Sequence, residues 1–106
     1  MRFVGTIHEP IYDFNNKKYI RVIVPDSMID RVTAKHTTWV KDNPLDGKVL
    51  TIKVPFRYRR VMCKNMGTRP LQSLIKGDLI ELEIEFMGQW TAGDCTGYTW
   101  KLSSFR

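Results

Sequence analysis

Within Leu79 to Phe86, apolar and acidic residues alternate without a break from Ile80 onward. Ile80, Leu82, Ile84 and Phe86 fall on one side, and Glu81, Glu83 and Glu85 on the other. A period of two belongs to a β-strand, and its apolar face must be covered, so the chain has to build a sheet with one side against a core. Tyr98, Trp100 and Leu102 alternate in the same way. The interval Gly88 to Gly97, with Gly93-Asp94 and Thr96-Gly97, reads as a loop that makes the pair a hairpin. The N-terminal part repeats this plan. Phe3 to Ile7 is a short strand whose pairing Pro10 should limit, and Asn15-Asn16-Lys17 is a turn. Lys18 to Val24 is then a strand with Ile20, Val22 and Val24 inward and Tyr19 and Arg21 outward. Lys48 to Lys64 reads as a third long strand with Leu50, Ile52 and Val54 in alternation. Pro55 cannot donate to its ladder, which calls for an edge position or a bulge and leaves the facing of Phe56 and Tyr58 open.

Thr68 to Gly77 carries helix signals: Pro70 in the first turn, Gly77 past the end, and Leu71, Leu74 and Ile75 at i, i+3 and i+4. Met28, Ile29 and Val32 fit a further short helix after Asp26, within a connection from Pro25 to Gly47 long enough to carry function. The chain of 106 residues is read as one domain, 1–106, of the all-β class. Five strands with a short helix between the third and fourth is the element order of the OB-fold, a small closed barrel.

Lys and Arg total 17 against 11 for Asp and Glu, a net charge of +6. Most of the excess is local. Between Asp46 and Asp78 no acid occurs, while Lys48, Lys53, Arg57, Arg59, Arg60, Lys64, Arg69 and Lys76 do. A confined positive patch selects polyanions. No apolar run approaches the roughly 18 residues of a spanning helix, so no membrane partner is expected. Met1-Arg2-Phe3-Val4-Gly5 lacks the apolar core of a secretion signal, and an intracellular protein is expected. Cys63 and Cys95 have no CxxC spacing and read as reduced, packed side chains. Neither they nor His8 and His36 have metal-ligand spacing, and no nucleophile–base arrangement or phosphate-binding glycine loop is present. The reading is a non-enzymatic protein without metal or cofactor. Glu81, Glu83 and Glu85 are taken as a solvated acidic face that drives a polyanion to the opposite side.

Within the basic stretch, Val54-Pro55-Phe56-Arg57-Tyr58-Arg59-Arg60-Val61 interleaves cations and rings. Cations bind phosphate and rings stack on bases, so single-stranded nucleic acid is the matching ligand. Lys53, Arg57, Arg59, Arg60, Lys64, Arg21 and Lys18, the last at a hairpin tip, are the phosphate candidates. Tyr19, Phe56, Tyr58, Trp90 in its polar loop, and Trp39 are the stacking candidates, whereas Trp100 belongs to the core.

Lys76-Gly77-Asp78-Leu79-Ile80-Glu81-Leu82-Glu83, then Gln89-Trp90-Thr91 and Gly97-Tyr98-Thr99, resemble single-stranded-DNA-binding proteins: a Lys-Gly turn, a barrel strand, a Trp-containing segment and a returning strand. The resemblance covers about the last third of the chain. It implies an OB-fold that coats unwound DNA in replication, repair or recombination. Bacterial members carry a disordered tail with an acidic tip, whereas this sequence stops at Phe105-Arg106. The expectation is a minimal domain of the small phage, viral or primosome type. The same chemistry serves RNA, and a module whose basic face meets an acidic protein is the alternative from another class. Edges at Pro55 and the first strand admit a homodimer.

Overall fold

The computed structural model describes all residues from Met1 to Arg106. Strand β1 (Arg2–Phe14) turns back into β2 (Lys17–Ile23), and helix α1 (Asp26–Thr33) follows. After a long irregular segment come β3 (Leu45–Asp46) and β4 (Val49–Val54), then β5 (Phe56–Arg57) and β6 (Arg60–Val61), then β7 (Lys64–Asn65). A single 3-10 turn at Leu71–Ser73 leads to the long hairpin of β8 (Leu79–Ala92) and β9 (Cys95–Phe105). The protein is mostly β. Its main sheet has the order β3-β4-β2-β1-β8-β9-β7, and a parallel pairing of Lys53 on β4 with Lys101 on β9 closes five strands into a ring. No helix is long and apolar enough to cross a membrane.

The ring forms because the alternating residues share one interior. Ile20 and Val22 of β2, Leu50, Ile52 and Val54 of β4, Ile80, Leu82 and Ile84 of β8, and Trp100 and Leu102 of β9 are buried in one cluster. Each fully buried aliphatic side chain contributes about 1.5–3 kcal/mol relative to exposure. Helix α1 adds Val32 to this cluster, with Met28 and Ile29 half-buried against it. Asp26 in its first turn and Arg31 in its last suit the helix dipole. Cys63 packs half-buried against the core, and burial pushes its thiol up to about 11.

Several expectations need correction. The first strand does not end near Pro10; it continues to Phe14 by way of register irregularities between Ile7 and Glu9 and between Glu9 and Tyr12. The second of these accommodates the missing proline donor. The third long strand ends at Val54 instead of running to Lys64. Pro55 stops the ladder, and the chain folds into the separate hairpin β5–β6, with Met62 N–H donating to the Pro55 carbonyl at 2.8 Å. The helix expected over 68–77 shrinks to one 3-10 turn, after which Leu74 is extended. At three residues per turn Leu71 and Leu74 eclipse, so both are buried while Ile75 stays exposed. Cys95 is exposed at the start of β9, paired with Ala92, and not packed in the core.

Candidate functional site

Where β4 stops at Pro55, the hairpin β5–β6 diverges from the end of the β8–β9 hairpin. Between them lies a groove of about 590 Å³ lined by Lys53, Pro55, Phe56, Arg57, Met62, Met87, Gly88, Gln89, Trp90, Thr99 and Lys101. Three cations and two aromatic rings line it, and no acid does. Gly88 has a φ of 94° at a register shift in β8, so the bend forming this wall requires a residue without a Cβ. None of Lys53, Arg57 and Lys101 takes part in the five ion pairs of the protein. Their charges are therefore open to an anion.

The groove opens onto the outer surface of the ring. Cross-strand pairing runs Tyr12–Tyr19–Lys53–Lys101–Glu85, so these side chains form one row over the five neighbouring strands of the ring. Tyr12 and Tyr19 lie with ring centroids 5.9 Å apart. Partial burial, then the nearby Asp42 carboxylate, pushes the Tyr19 hydroxyl above its ordinary value and keeps it a protonated donor. The row ends on an acid. Glu85 stands directly across from Lys101, which corrects the expectation that the β8 carboxylates all face away from the basic side. Glu83 does lie elsewhere: hydrogen bonding from the N-terminal ammonium, then its charge and Arg2, holds its carboxyl below the usual range.

Of the residues singled out from sequence, the groove brings together Lys53, Phe56, Arg57 and Trp90. Lys18 and Arg21 are already neutralised, by Asp13 and by Glu9 at 3.5 Å. Lys18 also places its ammonium 4.8 Å from the Phe56 ring centroid, steadying that ring at the groove wall. Tyr58, Arg59 and Arg60 sit on the β5–β6 hairpin but outside the groove lining. Lys64 is exposed on β7 beside Ser104, at the far end of β9.

Trp90 is not in a loop. It belongs to β8 and pairs with Gly97. Its ring covers the space a side chain at Gly97 would occupy, since a Cβ there would come within 2.4 Å of the ring. It thus packs on its own hairpin and also forms part of the groove wall. Trp39 is 84% exposed on a strap, residues 36–42, laid across the same hairpin. Thr38 N–H donates to the Tyr98 hydroxyl at 3.0 Å, and that hydroxyl donates to the Thr38 carbonyl at 2.7 Å. The Thr38 hydroxyl donates to Gln89 at 3.2 Å, which ties the strap to a groove residue. His36 stacks on Tyr98 with centroids 4.6 Å apart and accepts the Trp100 indole N–H at 3.0 Å.

The sequence reading missed Lys101, Met62, Met87 and Gln89. Lys101 did carry a signal, since it alternates with the buried Trp100 and Leu102 and so had to face outward. Only ring closure reveals that it lies beside Lys53. No protein-family model, curated protein or solved structure matches this chain.

Proposed function

We propose that the protein binds single-stranded DNA with little sequence preference, without catalysing a reaction, in the handling of unwound DNA. The observation that carries this reading is the acid-free groove in which Lys53, Arg57 and Lys101 surround Phe56 and Trp90. The cations meet phosphates and the rings offer faces to bases, a combination indifferent to sequence because every base has a π-face. Tyr19, one position along the row from Lys53, extends the path with a ring and a hydroxyl donor.

The strand connectivity supports an OB-fold. The first three ring strands are successive antiparallel neighbours, the first also pairs with the fourth, and the fifth returns parallel to the third. In that fold nucleic acid crosses the second and third strands between the loops flanking them. Tyr19 and Lys53 occupy those strands here.

Fluorescence anisotropy with labelled oligo-dT, competed by duplex DNA and by RNA of equal length, tests the reading. Single-stranded DNA should bind and duplex should compete poorly. Equal competition by duplex would remove the stacking part of the proposal, and stronger competition by RNA would change the ligand to RNA.

A further inference from the structure

The chain contains two tight turns of the same geometry and very different composition. Asn15 and Asn16, between β1 and β2, have φ of 51° and 62°. Tyr58 and Arg59, between β5 and β6, have φ of 54° and 61°. Asparagine tolerates this left-handed region and favours such hairpins, whereas tyrosine and arginine are strained there. Two more features weaken the second hairpin. Arg57 and Arg60 stand directly across from each other, a repulsive like-charge pair, and neither has a carboxylate partner. The Tyr58 ring is 83% exposed at the tip. Local stability explains none of these choices. An anion between the arginines and a flat partner on the tyrosine would offset all three.

A strand confined to the groove meets Arg57 and Phe56 but not Tyr58, Arg59 or Arg60, which are exposed outside its lining. A ring on a protruding tip has no floor beside it along which a single strand could continue. A duplex end offers what the tip lacks: a rigid flat face, with a phosphate backbone on either side for the flanking guanidinium groups. We propose that the hairpin β5–β6 is a junction-reading element. Tyr58 stacks on the terminal base pair where duplex gives way to single strand, Arg57 and Arg60 hold the junction phosphate, and the single-stranded tail enters the groove. This rests on the single-strand reading above and adds a substrate class to it, the tailed duplex.

The test compares four labelled probes: an oligo-dT tail, a blunt duplex, the same duplex carrying that tail, and an oligo-dT as long as tail and duplex together. The tailed duplex should bind about tenfold more tightly than the tail alone, the scale of one added base stack. The double variant Tyr58→Asn, Arg59→Gly places the favoured residues in the turn, so it should melt at or above the wild-type temperature. It should bind the tail as before and lose the extra affinity for the tailed duplex. Gain for the tailed duplex that survives in this variant would make the hairpin merely structural and overturn the inference. So would a long oligo-dT that binds as tightly as the tailed duplex. A tailed duplex no tighter than its tail would overturn the junction role and leave the groove reading standing. No binding of the tail at all would overturn both.

Discussion

At the scale of single residues, His36 carries the clearest pH dependence. An indole N–H can only donate, so the Trp100 bond requires Nε2 of His36 to be unprotonated. Burial lowers its pKa below the ordinary 6.5, which favours the same neutral form. The unfolded chain therefore takes up the proton first as pH falls. This contribution to stability is complete above about 6.5 and is lost as pH drops through the lower folded-state value. Thermal melts between pH 7.5 and 5 should show this loss, and His36→Phe should flatten that part of the profile. An unchanged profile in the variant would assign the acid sensitivity to other groups. Because His36 anchors the strap of residues 36–42, acidification should also alter the environment of Trp39.

At the scale of elements, local sequence dictates structure where a single period governs the segment and does not where two signals compete. Ile20, Val22 and Val24 alternate over an uninterrupted run and are all buried. Around Pro55 the alternation continued on paper, but the missing donor ended the ladder, and the residues beyond turned into a hairpin. At Leu71, Leu74 and Ile75 the spacing matched an α-helix and, for the first two residues, a 3-10 turn equally well. The short interval between Pro70 and Gly77 took the tighter form. This has a measurable consequence. Leu74→Ala should destabilise by roughly 2–5 kcal/mol in urea unfolding, as a buried leucine does. Ile75→Ala, at a 64% exposed position, should stay within about 0.5 kcal/mol. Similar losses at both positions would restore the helical packing.

At the scale of the whole molecule, the positive charge acts as a confined patch bounded by Glu85. In the proposed binding mode one phosphate each meets Lys53, Arg57 and Lys101, and log K for oligo-dT should then fall with log salt at a slope of about −2. Lys53→Ala with Lys101→Ala should flatten that slope toward about −0.7 while leaving melting nearly unchanged, because neither lysine has an ion pair to lose. A wild-type slope near zero would exclude phosphate contact. The sequence by itself determined the β-rich class, the inward residues of the main strands, the Asn15-Asn16 turn and the acid-free basic stretch. All of these follow from period, turn chemistry and composition within short windows. The tertiary structure alone decided that Lys101 stands beside Lys53, that Glu9 and Asp13 neutralise Arg21 and Lys18, and that Trp90 covers Gly97 at the groove wall. Periodicity says which side of a strand a residue occupies. Its neighbours on that side depend on register and on how strands distant in sequence close the ring.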